Sequence, residues 1–256
     1  MAIIIKTPTE IETLREGGRR LGQILAEVGK MVAPGVSTAQ LDAYAEKLIR
    51  AGGDEPAFLG YTPEGVSYPY PASLCVSVNN EIVHGIPKSD HILKDGDIVT
   101  IDLGLKHKGL YTDHAITLPV GKISKKDKKL MEVGREALYV GIEEARAGNR
   151  VGDIGYAIEK FVKPYKYGII RGLSGHGVGR EIHEDPYVPN YGKKGTGELL
   201  KAGMVIAIEP MLSEDTWEAK LMPDDYTYIT EDGTKAVHFE HTVLVTDGEP
   251  EILTSF

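Results

Sequence analysis

The sequence predicts an α+β fold made of two related halves, about 1–120 and 121–256, joined in a single domain of 256 residues. Three observations point there. Helix signals followed by strand signals run through the chain twice. A ten-residue block recurs 107 positions later. Each half carries acids on its predicted strands, where an apolar or neutral residue would be the ordinary choice.

The first helix starts at "TPTE", where Thr7 offers an N-cap oxygen, Pro8 takes the first helical position and Glu10 completes a capping box. It should run to about Val32 and stop at "APG". "STAQ" opens a second helix at about Thr38, ended by Gly52 and Gly53. Strands follow in "LCVSVN" from Leu74 and in "DIVTIDLGL". The stretch "DLGLKHKGLYTDHAITL" alternates about "KHKG" and reads as a hairpin. With the turn centred on that cluster, partner numbers sum to 215: Leu105 faces Leu110, and Asp102 faces Asp113. "SKKD" at 124–127 opens a third helix to about Ala147, its lysines on a solvated face. A fourth helix spans roughly 152–163. Strands return at "MVIAIEP", around "YTYIT" and at "HFEHTVLV".

Composition narrows the function classes. Apolar content of 41% and charged content of 26% are those of a globular protein. A net charge of −9 argues against a nucleic-acid substrate or an anionic membrane surface, both of which call for a basic patch. A single cysteine, Cys75, forbids an internal disulfide and fits a reducing compartment. The start, "MAIIIKTPTE", has too short an apolar run for a signal peptide or a membrane span. These features predict a cytoplasmic protein.

The repeat carries the chemistry. "LKDGDIVTID" (93–102) aligns with "LKAGMVIAIE" (200–209), which equates Asp102 with Glu209. Upstream, "VSTAQLDAYAEKLI" matches "NRVGDIGYAIEKFV" in apolar spacing. Downstream, "DHAITLPV" matches "EHTVLVTD", which equates Asp113 with Glu240. "HGIP" at His84 matches "HEDP" at His183. A lone Asp at a strand end is ordinarily a turn or cap residue. Glu209, however, ends the apolar run "MVIAIE", and a buried carboxylate needs a partner or a metal. If the halves pack about a pseudo-two-fold axis, the four acids converge, and two divalent cations balance their charge. Opposed aspartates in one hairpin, otherwise destabilising, are then tolerated. Oxygen ligands with an imidazole suit Mn, Fe, Co or Zn. The imidazole comes from "LSGHGVGREIHEDP" (173–186), where His176 lies between two glycines and His183 follows seven residues later. A nucleotide-binding glycine loop is rejected there, since no strand–loop–helix pattern accompanies it.

The motifs "VHGIP", "LKDGDIVTID", "SGHGVGREIHEDP", "IEPM" and "FEHTVLVT", spread over nearly the whole chain, resemble those of the type I methionine aminopeptidases, which belong to the pita-bread metallopeptidases. The resemblance implies a pseudo-two-fold duplicated α/β unit with a curved antiparallel sheet and helices on its outer face. It implies five metal ligands: Asp102 on one ion, His176 and Glu209 on the other, Asp113 and Glu240 bridging. It implies substrate contacts from His84 and His183, and a methionine pocket at or near Phe58, Tyr61, Tyr70, Cys75, Ile182 and Tyr226. Gly104, where many members carry threonine, and His114, beside a bridging Asp, depart from the family pattern, and "LGYTPEGVSYPYP" is longer than the usual loop. That loop should rim the pocket, with Tyr70 inside and Glu64 and Ser67 outside.

The implied activity is removal of the N-terminal methionine from peptides and nascent chains with a small second residue, by a monomer in transient contact with the ribosome. Glu209 would accept a proton from the attacking water, His183 would donate to the peptide carbonyl and His84 would meet the scissile nitrogen. A proline-specific aminopeptidase or dipeptidase is the alternative on the same fold; those relatives normally carry a large extra N-terminal domain.

Overall fold

Two pairs of helices flank a mixed set of short strands in the computed structural model, which describes residues 3–63 and 65–255. The helices are α1 (Pro8–Gly29), α2 (Thr38–Ala51), α3 (Lys125–Glu143) and α4 (Val151–Val162). The capping boxes fix three of their starts. Thr7 Oγ1 accepts from the Glu10 amide at 3.3 Å while the Glu10 carboxylate accepts from the Thr7 amide at 2.7 Å. Ser37 with Gln40 and Ser124 with Asp127 repeat the arrangement. α3 ends four residues before the predicted Ala147, because the Ala147 amide donates instead to Thr246 O at 2.9 Å, tying that segment to the sheet side of the molecule.

Nine strands make the principal sheet. Its path runs Glu55–Pro56, Ile98–His107, Leu110–Pro119, Glu240–Leu244, Val205–Ile208, Gly175–Gly177 and Glu184–Val188; Leu74–Val78 joins Ile98–His107, and Glu251–Ile252 joins Glu240–Leu244. All these pairings are antiparallel. The hairpin register differs from the predicted one by two: Asp102 pairs with Ala115, and Asp113 pairs with Gly104. The turn is only Lys108–Gly109, with φ of 48° and 83°. Two positive φ values make the tight primed turn that matches strand twist, and they centre the hairpin one residue later than "KHKG". A shift of two keeps Asp102 and Asp113 on the same face but makes them diagonal neighbours rather than opposed ones.

The predicted strand "HFEHTVLV" breaks at Phe239. Ala236–His238 pairs with Met211–Ser213 in a separate three-stranded sheet, and Glu240 begins the next strand in the large one. "MVIAIEP" makes the same crossing: Val205–Ile208 lies in the large sheet, and after Glu209 and Pro210 the chain enters the small one. Both crossings leave an acid, Glu209 or Glu240, at the junction.

Two apolar cores lie under the helix pairs. Leu21, Leu25, Leu41 and Ile49 of α1 and α2 pack on Leu74, Val76, Ile101 and Leu103. Leu130, Ala137, Ile154 and Ile158 of α3 and α4 pack on Ile206, Ile208 and Val243. The strands Leu110–Pro119 and Glu240–Leu244 pair directly, so the two layers meet along His241↔His114 and Glu240↔Ala115.

Candidate active site

One row of register partners crosses the sheet: Cys75 pairs with Asp102, Asp102 with Ala115, and Ala115 with Glu240. Directly paired residues share a face, so Asp102 and Glu240 flank the small Ala115 on one side of the sheet. Asp113, two residues before Ala115, points to that face as well. Glu209 follows Ile208, the partner of His241, at the same end of the row. Asp113 is clamped by Thr242, whose Oγ1 accepts from the Asp113 amide at 2.9 Å and donates to the Asp113 carbonyl at 2.7 Å. The alternation that turns the acids to this face turns His114 and His241 to the other, where their rings stack at 4.4 Å. His114 is therefore no part of the cavity.

His176 approaches from the Gly175–Gly177 strand. Its Nδ1 lies 2.8 Å from the Gly177 carbonyl, which fixes the proton on Nδ1 and leaves the Nε2 lone pair bare. Nε2 stands 3.5 Å from Glu209 Oε1. Ligand atoms of Asp113, His176 and Glu240 all lie within 4.8 Å of one another.

Burial dominates the electrostatics. The Asp102, Glu209 and Glu240 carboxyls are pushed well above the carboxylate range, first by burial and then by the negative charge of Asp113 and its neighbours. Asp113 is raised to about 7, again by burial. Burial draws His176 down to about 3 and His84 to about 4, so both rings are neutral. Asp102 Oδ1 and Glu240 Oε1 are buried with no hydrogen-bond partner. Buried oxygens of this kind are costly unless something positive meets them. Four acids, two with unsatisfied oxygens, beside an imidazole nitrogen held bare fit a divalent cation.

These groups open onto a cavity of about 460 Å³ whose wall includes Phe58, Tyr61, Pro63, Tyr70, Cys75, His84, His183 and Tyr226 along with all five expected ligands. Phe58, Tyr70, Cys75, Ile182 and Tyr226 form one buried apolar cluster with Tyr61 packed against it. Of the three tyrosines of the long loop, Tyr61 and Tyr70 reach the wall, and the Tyr61 hydroxyl lies 3.0 Å from His183 Nδ1. Ile182 is the exception among the expected pocket residues. It is buried in the cluster, but the wall position is taken by the adjacent His183. Ser67 is exposed as expected, and Glu64 lies outside the described residues. Gly104 has a local reason: a Cβ there would lie 2.7 Å from Phe58 Cε1 and 2.8 Å from Ala57 Cβ.

The sequence reading missed His238. It is 2% exposed, with Nε2 3.3 Å from Glu209 Oε2 and 3.9 Å from Glu240 Oε2. Its position two residues before Glu240 was the available signal.

The family model described as metallopeptidase family M24 matches residues 12–247. The chain belongs to metallopeptidase family M24. Among its M24 relatives, it is 46% identical over 252 residues to methionine aminopeptidase 1 of Bacillus subtilis, a match covering 98% of this chain and 99% of that one. The structure of a methionine aminopeptidase from Thermotoga maritima superposes with a TM-score of 0.95 at 42% identity and covers both chains fully. A prolidase from Pyrococcus furiosus superposes at a TM-score of 0.79 and 26% identity, covering 99% of this chain but 66% of that one. The M24 member thus has the pita-bread architecture that its sequence predicts, with the expected ligand set and histidines gathered at a single cavity. Among its described residues no helix is long and apolar enough to cross a membrane.

Proposed function

We propose that this metallopeptidase removes the N-terminal methionine from peptides and nascent chains whose second residue is small. The observation that carries the reading is adjacency: the acid–imidazole cluster opens straight onto an apolar wall of Phe58, Tyr70, Cys75 and Tyr226. One end of that cavity suits an unbranched apolar side chain, the other suits cations. The full-length match to methionine aminopeptidases, against partial coverage of the prolidase, supports methionine over X-Pro substrates.

Asp102, Asp113, His176, Glu209 and Glu240 would hold two divalent ions, drawn from Co, Mn, Fe or Zn. Bound there, such ions lower the pKa of water and polarise a carbonyl. The free amino terminus lies at the Asp102 end of the row, which restricts the enzyme to the first peptide bond. Glu209 accepts a proton from the attacking water. With Tyr61 donating to His183 Nδ1, the His183 proton sits on Nε2, from which it is donated to the carbonyl oxygen. A ring nitrogen of His84 hydrogen-bonds the scissile nitrogen as it becomes an amine. Nascent-chain substrates would place the enzyme in the cytoplasm, in transient contact with the ribosome; we take it to act as a monomer.

The test is direct. Purified protein with added Mn²⁺ or Co²⁺ should release methionine from Met-Ala-Ser and leave Ala-Pro-Ser intact. Faster cleavage of the X-Pro peptide would replace this reading with the proline-specific one.

A further inference from the structure

We propose that His238 is a positioning residue for Glu209, its Nε2–H donating to Glu209 Oε2 and so fixing the direction in which Oε1 points. The proposal deepens the reading in which Glu209 ligates and accepts a proton, and it rests on that reading.

The two oxygens of Glu209 face different imidazoles. Oε1 is 3.5 Å from His176 Nε2, and Oε2 is 3.3 Å from His238 Nε2. His176 has its other nitrogen tied to Gly177 and can offer only a lone pair to the cavity. His238 is different: neither of its ring nitrogens has a hydrogen-bond partner. The ring is 2% exposed, and an imidazole carries at least one N–H in either of its charge states. A buried N–H without a partner costs free energy that a hydrogen bond would recover. The acceptors in reach are the Oε2 atoms of Glu209 and, at 3.9 Å, of Glu240. Of the two, Glu209 Oε2 is the nearer.

The backbone makes this donor rigid. Thr117 Oγ1 accepts from the His238 amide at 3.0 Å and donates to the His238 carbonyl at 2.8 Å, while His238 pairs with Met211 across the small sheet. Glu209 itself sits where the chain leaves one sheet for the other, with its carbonyl held by Asn190 Nδ2 at 2.9 Å. The peptide on both sides of the contact is therefore anchored, and the carboxylate torsion is the remaining freedom. His238 is not part of the cavity wall, so it stands behind the carboxylates and meets no substrate. Partners placed behind a ligand in this way tune it: their loss typically costs about 10–100-fold in metal affinity or activity.

The experiment compares H238L and H238Q with the parent, all loaded with Mn²⁺. H238L keeps volume and loses the donor; H238Q keeps a donor. H238L should retain the parent's manganese stoichiometry by calorimetry while kcat on Met-Ala-Ser falls by about 10–100-fold and KM moves by less than about threefold. H238Q should recover kcat to within about threefold of the parent. Nitrogen-15 spectra of the parent loaded with diamagnetic Zn²⁺, which keeps Glu209 ionised, should report His238 as the Nε2–H tautomer, a readout independent of turnover and of variant folding. An unchanged kcat in folded H238L, loss of a manganese equivalent, failure of H238Q to recover turnover, or the Nδ1–H tautomer would each overturn the proposal. Asp113→Ala serves as the separate control: if it kept metal and turnover, the two-ion reading would fall whatever His238 does.

Discussion

The Tyr61 hydroxyl lies 3.0 Å from His183 Nδ1, with the two rings 5.2 Å apart at their centroids. A loop tyrosine thus hydrogen-bonds the histidine's Nδ1, and in the proposed mechanism its hydroxyl is the donor, which puts the histidine's proton on Nε2. Tyr61→Phe should lower kcat about fivefold, the worth of one hydrogen bond of about 1 kcal/mol, with metal content unchanged. In a His183→Ala background the same change should have almost no further effect, because the two residues act as one unit. Steady-state kinetics on the four proteins checks both.

Asp113 gives a pH signature in the metal-free protein. Burial raises its carboxyl to about 7, above the ordinary value, so the folded chain keeps a proton that the unfolded chain has already lost. This contribution is fully present below about pH 4 and disappears as pH rises through about 7. Buried neutral histidines work in the opposite direction at acid pH, so the comparison must isolate the carboxyl. Asp113→Asn should therefore melt increasingly above the metal-free parent as pH rises from 5 to 8. Equal melting temperatures at pH 8 would contradict a buried, charge-averse Asp113. With metal added the order should reverse, since the variant loses one of the proposed ligands.

Gly104→Thr, the change toward many of the pita-bread aminopeptidases, should harm this chain. The added Cβ would sit 2.7 Å from Phe58 and 2.8 Å from Ala57. Overpacking at such a site costs about 1–3 kcal/mol, read as a lower melting temperature. KM for methionyl peptides should rise as Phe58 is displaced from the cavity wall.

Lys6 and Glu184 form a buried ion pair at 2.5 Å, their side chains 1% and 3% exposed. Lys6→Met leaves Glu184 with the Arg180 and Glu181 amides alone. Breaking such a pair costs about 3 kcal/mol or more, and because Glu184 follows His183, kcat should fall as well. Lys6→Met with Glu184→Leu should regain most of the stability, which thermal unfolding would show.

The 62–67 segment offers a fifth test. Tyr61 and Tyr70 pair through the backbone, Tyr70 N to Tyr61 O at 2.8 Å, which closes the excursion at its base. Replacing 62–67 by a short Gly-containing turn should change KM or second-residue preference and leave the metals in place. Unchanged kinetics across Met-X-Ser peptides would reduce the loop to a surface insertion.

Helix starts were legible because capping is local: Thr7–Glu10, Ser37–Gln40 and Ser124–Asp127 each need only four residues. The acids were legible because the internal repeat doubled a weak signal, and Asp102, Asp113, Glu209 and Glu240 do line one cavity. The hairpin register was not, because it depends on Lys108 adopting a positive φ that lysine seldom shows. Nor was the break at Phe239: apolar alternation continues through it, and only the tertiary fold sends the two flanking strands to different sheets. His238 was missed for the same reason, since its role depends on facing Glu209 across that break.

Each half of the molecule contributes two of the four clustered acids, and the two apolar cores are drawn mainly from one half each, with Ile98 crossing into the core under α3 and α4. Without ions, four buried carboxyls meet where the two halves join, and burial raises each of them above the ordinary carboxylate range. Under the proposed ligation, ion binding would tie Asp102 and Asp113 to Glu209 and Glu240, and its free energy would be gained only when both halves are folded. Amide hydrogen exchange should then find two separately opening units in the metal-free protein and a single cooperative one after loading: ions that armed the chemistry would also weld the two halves of the chain.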